Sequence, residues 1–354
     1  MRSIKQIKNL KNKKVLVRVD FNVPIKNGII LDDFRIKKSL PTIKFLINKG
    51  ANVLLMTHLG KDGSESLEPI IKHFFKISKI SKNRVSFFEN IRKFEGETKN
   101  DKNFAKEISK LGDIYVNDAF SVSHRNHASI LSLPKYLPSY AGFQLEEEVK
   151  SLSRVIKNIK HPFLYITGGA KFSTKLPLIK RYIKTADYVF VGGALGNTLL
   201  KKKGCETGIS LVDSENYDFK NILKSKKIIL PKDVLVSSNN KLIEKNLEKI
   251  EKGDNIIDIG ENTVKDLTSL IKKSKLILWN GPLGEYEKDG GEATKKILKI
   301  ISKTNTESII GGGDIVSLIS KLKLEKKFTF VSTGGGATLD FLSNGTLPGI
   351  KALK

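Results

Sequence analysis

The chain has 354 residues, 39% hydrophobic and 28% charged, a balance that fits two folded domains of roughly 150–200 residues and excludes a disordered or membrane-embedded chain. Its 63 lysines and arginines against 37 acidic residues give a net charge of +26, and its single cysteine excludes an internal disulfide. The longest apolar runs, at 53–56 and 276–279, fall far short of the ~18 residues that span a bilayer, and the charge-interrupted N-terminus lacks the apolar stretch of a secretory signal, so a cytoplasmic protein is expected.

Short β-rich runs alternate along the chain with amphipathic stretches, the pattern of βαβ units around parallel sheets, and the fold class reads as α/β. Strands are predicted at 15–19, 51–56, 85–88 and 113–116. Between the first two, Ile36, Leu40, Ile43 and Ile47 share a helical face, with Gly50 closing the helix. Residues 141–159 place Leu145, Val149, Leu152 and Ile156 at helical spacing and read as a helix linking two halves. Further strands are predicted at 163–167, 188–191, 228–230, 256–259, 276–279, 308–310 and 328–331. The lysine-rich run 241–252 reads as the solvated face of a helix.

Open parallel sheets bind ligands beyond the carboxyl ends of their strands, and there the two halves differ. First-half strands lead into Asp20, Asn22, His58, Arg92 and, beyond Asn117-Asp118, Arg125. Second-half strands lead into Gly168-Gly169, Gly192-Gly193, Gly281, Gly311-Gly312-Gly313 and Gly334-Gly335-Gly336. Glycine turns entering helices let backbone N–H groups close on phosphate, so the second half reads as a nucleotide cradle; tight βα packing would account for any one turn alone. Neither a P-loop nor a G-x-G-x-x-G fingerprint is present, which counts against a P-loop NTPase and a dinucleotide dehydrogenase.

Lys171 and Lys175, four residues apart after a strand, would face the same way at a helix start. Asp314, after three glycines, suits Mg²⁺ held with phosphate oxygens; its alternative is the N-cap of a helix over 315–321. In the first half, Arg35, Arg92 and Arg125 with His58, Lys61, Asp20 and Asn22 supply cationic forks and hydrogen-bonding groups for a carboxylate and a phosphate, so an anionic substrate is expected. His124 and His127 have no third ligand nearby and do not read as a zinc site, and Cys205 reads as a bystander. The lysines are scattered, which fits a field that steers a phosphorylated small molecule better than a nucleic-acid patch.

The ordered motifs VLVRVDFNVP, DDFRI, MTHLGK, ENIRKF, YVNDAF with SHRNHAS, GGAKFSTK, WNGPLGEYE, GGGD and STGGGATLDFLS with LPGIKAL resemble those of phosphoglycerate kinases, essentially end to end. The resemblance implies two Rossmann-like domains joined by a linking helix: residues 1–146, with the tail 343–354 packing back on them, and residues 147–342. It implies reversible phosphoryl transfer from 1,3-bisphosphoglycerate to ADP, giving 3-phosphoglycerate and ATP, with Mg²⁺, by a monomer whose domains close about the helix. Positions matching the family's phosphoglycerate ligands are Asp20, Asn22, Arg35, His58, Lys61, Arg92 and Arg125. Those matching its nucleotide ligands are Lys175, Gly192, Gly193, Asn280, Pro282, Glu287, Gly312 and Gly313, with Asp314 toward the metal. Charge stabilisation of the moving phosphoryl group is expected from Arg35, Lys171 and the N–H groups around Gly334, Gly335 and Gly336.

Two positions depart from the family pattern. Lys61 replaces the usual arginine, exchanging a bidentate fork for a point charge. Ile315 replaces a threonine or serine near the nucleotide phosphates, and either a hydrogen bond is lost there or the side chain packs beneath the loop. The alternatives carried forward are another type of α/β phosphoryl-transfer enzyme or dehydrogenase, and a basic nucleic-acid-binding protein, as a sole or second role.

Overall fold

The computed structural model describes residues 1–215, 217–239, 241–285 and 290–353. The chain divides into two compact units, Met1–Leu152 with Gly336–Lys354, and Ser153–Gly335. The first boundary falls inside the α-helix Phe143–Lys157, which occupies the stretch read as the linking helix.

The first unit is built on β1 (Lys14–Arg18), a short hairpin of β2 (Ile25–Lys26) and β3 (Ile29–Ile30), β4 (Asn52–Met56), β5 (Val85–Phe87), β6 (Ile114–Asn117) and β7 (Ser139–Ala141). Apart from the hairpin, these strands form one parallel sheet in the order β5-β4-β1-β6-β7. β1 lies at its centre, and the last four of its five residues are buried, as a strand covered on both faces must be. Ile36 and Ile43 of the helix Phe34–Asn48 pack into the same core as Val15, Val17 and Val53. That helix ends on Lys49, and Gly50, at φ +87°, takes the left-handed turn back to β4. The C-terminal segment belongs to this unit: Phe341 packs on Phe120 at 5.9 Å between ring centroids, and Gly349 N–H donates to Ser123 O at 2.8 Å.

The second unit contains β8 (Phe163–Thr167), β9 (Tyr188–Val191), β10 (Ile228–Ile229), β11 (Asp233–Ser238), β12 (Lys241–Asn246), β13 (Asn255–Ile259), β14 (Leu276–Asn280), β15 (Glu307–Gly311) and β16 (Phe330–Val331). Its main sheet is parallel, in the order β10-β9-β8-β14-β15-β16. A second, antiparallel sheet has the order β12-β11-β13. The helix expected over 241–252 is therefore corrected to strand β12 followed by the short 3-10 turn Leu247–Lys249. Leu242, Ile243, Leu247 and Ile250 do fall near helical spacing, but pairing Lys241 through Asn246 with all six residues of β11 seats Leu247 and Ile250 against Val234 and Val236. The last strand is also shorter than expected, because only Phe330 and Val331 pair with Ile309 and Ile310 of β15.

Each parallel sheet reverses its winding direction once. In the first unit the chain moves outward from β1 through β4 to β5, then returns to β6 on the other side; in the second it moves from β8 to β10, then returns to β14. The crevices so formed lie beyond the carboxyl ends of β1 and β6, and of β8 and β14, which is where open sheets of this kind take ligands.

Candidate functional site

Beyond β1, a connected polar cluster gathers five of the seven expected anion-binding residues. Arg35 donates through Nη1 to Asp20 Oδ2 at 2.7 Å and to Asn22 O at 3.2 Å. Asn22 N–H donates to Asp20 Oδ1 at 3.1 Å, and Asn22 Oδ1 accepts from Gly60 N–H at 3.1 Å. Arg92 donates to Gly60 O at 2.7 Å, so the two loops are tied through one glycine. Ser121, which the sequence reading did not pick out, donates to Asp20 Oδ2. Burial opposes the Asp20 charge, but Arg35, the Ser121 hydroxyl and the Asn22 N–H outweigh it and hold the carboxyl below its ordinary range. Burial, with Arg18, Arg92 and Arg35 nearby, holds His58 well below its ordinary value despite the attraction of Asp20. Arg92 is lowered by burial and by its neighbours Arg18 and Arg125, the cost of gathering like charges. Lys61 and Arg125 are exposed.

Arg18 and Glu97 were also missed, and both are fully buried. The signal available for Arg18 was a charge inside the apolar run VLVRV of a central strand; Glu97 carried none.

In the second unit a cavity of about 350 Å³ is lined by Gly169, Gly193, Pro282 and Asp314 among the expected residues. Its apolar wall includes Leu211, Pro231, Val234 and Ile256, which no motif pointed to because they come from three separated segments. Three helices begin around these loops, Phe172–Thr185, Gly193–Lys202 and Gly313–Lys321, and their dipoles favour anions, although at the second of them Gly192 N–H and Gly193 N–H already donate to Thr167 O and Leu283 O, both at 2.9 Å. Gly192 and Gly312 are the N-caps of the last two, with Gly313 opening the third helix. Asn280 ends β14, and its carbonyl accepts from Gly168 N–H at 3.1 Å. Gly334 belongs to a turn in which its N–H donates to Ser332 Oγ at 3.2 Å; Gly336 opens the helix Gly336–Asn344 of the first unit. Glu287 lies outside the described residues.

Lys175 is buried in the first turns of its helix and donates through Nζ to Gly168 O; burial pushes its ammonium down to about 8, with Asp314 opposing. Gly281, at φ +91°, is required beside it, since a Cβ there would collide with both Lys175 Nζ and the Gly168 carbonyl. Lys171, expected beside Lys175 on the helix face, is instead the exposed N-cap of that helix. Asp314 is not an N-cap either: Gly312 takes that place, and Asp314 stands exposed in the first turn. Among the described residues no three metal-ligating side chains cluster, so Asp314 offers one carboxylate, the donor set of an Mg²⁺ completed by phosphate and water. The Ile315 side chain is fully buried, so the packing reading holds for it and any nucleotide contact at this position falls to the backbone.

The chain matches the sequence profile described as phosphoglycerate kinase over residues 4–87 and 71–345. It is similar to the phosphoglycerate kinase of Borreliella afzelii (39% identity over an alignment 390 positions long, spanning 100% of this chain and 99% of that one) and to that of Dictyoglomus turgidum (39%, 98% and 96%). Among solved structures it is similar to phosphoglycerate kinase from Coxiella burnetii, with a TM-score of 0.85 at 34% identity over 99% of this chain and 98% of that one. Pyrococcus horikoshii phosphoglycerate kinase gives a TM-score of 0.87 at 29% identity over 100% and 98%. These findings support the kinase expectation, and none of them supports the nucleic-acid alternative.

Proposed function

Since the chain belongs to the phosphoglycerate kinase family and so moves a phosphoryl group reversibly between 1,3-bisphosphoglycerate and ADP, giving 3-phosphoglycerate and ATP, we propose that its two units divide the ligands between them. The observation that carries this division is the contrast between the two sheet crevices. One presents charged side chains tied to Asp20, and the other presents glycine backbone around a buried lysine and an apolar-walled cavity.

On this reading Arg35, Arg92, Arg125, His58, Lys61, Asp20 and Asn22 hold the phosphoglycerate, whose carboxylate and phosphate both accept charge-assisted hydrogen bonds. The apolar wall takes the nucleotide base, while Lys175 and the N–H groups of Gly312 and Gly313 take its phosphates; Gly192 and Gly193, whose own N–H groups are held by Thr167 O and Leu283 O, leave room for the nucleotide, with Asn280, Pro282 and Glu287 completing the site. Asp314 would hold Mg²⁺, which when bound offsets phosphate charge and orients the oxygens. The attacking group is a carboxylate with no proton to remove, so the residues are needed to position and to neutralise charge rather than to act as a general base. Arg35, Lys171 and, in the turn around Gly334, the N–H groups of Gly335 and Gly336 supply that charge stabilisation, the Gly334 N–H being held by Ser332 Oγ.

No described helix is long and apolar enough to cross a membrane. With one cysteine and freely diffusing substrates, a cytoplasmic, monomeric enzyme is the reading we carry. The division of ligands is tested by calorimetric titration of Arg125→Ala: 3-phosphoglycerate affinity should fall while Mg-ADP affinity is retained. Equal loss of both in a folded variant would overturn it.

A further inference from the structure

Next to the anion cluster of the first unit runs a chain of buried polar groups that the transfer itself does not use. Arg18, at the end of β1, and Glu97, in the short helix Glu95–Thr98, are both fully buried, with Arg18 Nη2 4.0 Å from Glu97 Oε1. Ser129 stands between them. Its hydroxyl donates to Glu97 Oε1 at 2.7 Å and accepts from Arg18 Nε at 3.0 Å, and its backbone N–H donates to Glu97 Oε2 at 2.8 Å. Ser129 O accepts in turn from the Tyr115 hydroxyl at 2.6 Å. The guanidinium so fixed donates through Nη1 to Val19 O at 2.6 Å, and its Nη2 lies 3.4 Å from His58 Nδ1.

A guanidinium has five N–H donors and no acceptor, so the ring nitrogen facing it must offer a lone pair. The ring proton then resides on the other nitrogen. We propose that Glu97, acting through Ser129 and Arg18, is a positioning residue that fixes His58 as the neutral tautomer protonated on Nε2, so that His58 meets the anionic substrate as a hydrogen-bond donor and not as a cation. The proposal rests on His58 belonging to the phosphoglycerate site. The charged groups around His58 are Asp20, Arg18, Arg92 and Arg35, three cations against one anion, and this balance and burial both disfavour an imidazolium. Glu97 itself faces Arg18 and His127, whose Nδ1 is 3.6 Å from Oε1; with the two Ser129 donors they outweigh burial and keep the carboxyl ionised below its ordinary range.

The test is a long-range ¹H–¹⁵N correlation spectrum of the full chain labelled at histidine, with the His58 ring assigned by loss of its signals in His58→Gln. The wild-type ring should show a protonated Nε2, an unprotonated Nδ1 and no titration between pH 8 and 5. A proton on Nδ1, or an imidazolium at pH 7, would overturn the proposal with no variant needed. In Glu97→Gln, and in Ser129→Ala, which removes only the hydroxyl link, the ring should become a mixture of tautomers. The KM for 3-phosphoglycerate should rise roughly tenfold while that for Mg-ATP stays put, as expected of a disturbed positioning group. A pure Nε2–H ring retained in both variants would remove Glu97 from the role. A changed tautomer with an unchanged KM for 3-phosphoglycerate would overturn the placing of His58 in the substrate site instead, so the two failures are distinguishable.

Discussion

Replacing Lys175 with methionine should move stability and function in opposite directions. The side chain is 7% exposed, and its pKa is displaced by burial from 10.5 to about 8. At about 1.4 kcal/mol per tenfold, holding the ammonium there costs the unliganded protein on the order of 3 kcal/mol. Methionine keeps the aliphatic stem and removes the charge, while losing the hydrogen bond to Gly168 O returns about 1 kcal/mol, which leaves a net gain of about 2 kcal/mol at pH 7. For a unit of this size that is a rise in melting temperature of roughly 4–8 °C. The sign of the pH dependence follows from the folded value lying below the unfolded one. From about pH 8 to pH 10.5 the unfolded chain binds the extra proton, so the cost is present in full below pH 8 and fades as pH rises through that window. The parent should therefore gain stability between pH 8 and 10 relative to Lys175→Met.

Nucleotide phosphate beside the ammonium should restore its affinity for a proton. Binding of Mg-ADP at pH 8 should then take up roughly half a proton in the parent and none through this group in the variant, where affinity should fall at least tenfold or so. Calorimetric titration in buffers of different ionisation enthalpy reads the uptake, and scanning calorimetry reads the stability. A variant that melts lower than the parent and binds ADP equally well would refute both halves of the reasoning.

Ile315→Thr should destabilise without tightening nucleotide binding. Trimming a fully buried isoleucine costs about 0.5–1.5 kcal/mol and burying the hydroxyl about 1–3 more, with Ile315→Val as the control that carries the first cost alone; tighter Mg-ADP binding at unchanged melting temperature would contradict the packing role. Lys171→Ala should lower kcat on the order of a hundredfold with little change in KM, as loss of a donor to the transferring group does, whereas an effect confined to KM would reject that role. Asp118 is buried, accepts from Gln144 N–H at 2.9 Å and Leu145 N–H at 3.4 Å, and is pushed by burial from 3.8 up to about 8. Its folded value lies above the unfolded one, so its contribution is fully present below about pH 4 and is lost as pH rises through about 8. Asp118→Asn should be tolerated and should melt higher than the parent at pH 8.5 by more than at pH 6, and a loss of stability equal at both values would show that the carboxyl is ionised in the folded state.

The parallel strands other than β7 were legible because each is a short apolar run punctuated by glycine or polar residues; β7, the three residues Ser139–Ala141, is too short to carry such a signal. Of the antiparallel sheet only β13 was legible, and β11 and β12 were not. β12 owes its form to β11, and a run such as KLIEKN, exposed at five of its six positions, carries no alternation to betray a partner elsewhere in the chain. Within the site, groups that we propose to meet ligands were readable from position after a strand, as with Asp20 and Arg92. Residues that hold those groups were not: Glu97 and Ser129 lie 79 and 111 positions from Arg18, and only folding brings them to it. Lys171 and Asp314 show the limit of spacing arguments, since a shift of one or two residues in where a helix begins decides whether a side chain caps it or stands free.

β12 ends its sheet with Leu242 and Ile243 at 52% and 40% exposure, so the chain carries a ready template on which a second copy could add a strand. Lys241 directly precedes the pair, Glu244 and Lys245 directly follow it, and the whole molecule bears +26. At physiological ionic strength charge repulsion reaches only about 8 Å, so distant lysines keep molecules from crowding while those on the strand guard the edge itself. An excess of lysine scattered over every surface is then a colloidal device: it holds a concentrated solution of identical molecules apart and needs no polyanion to explain it.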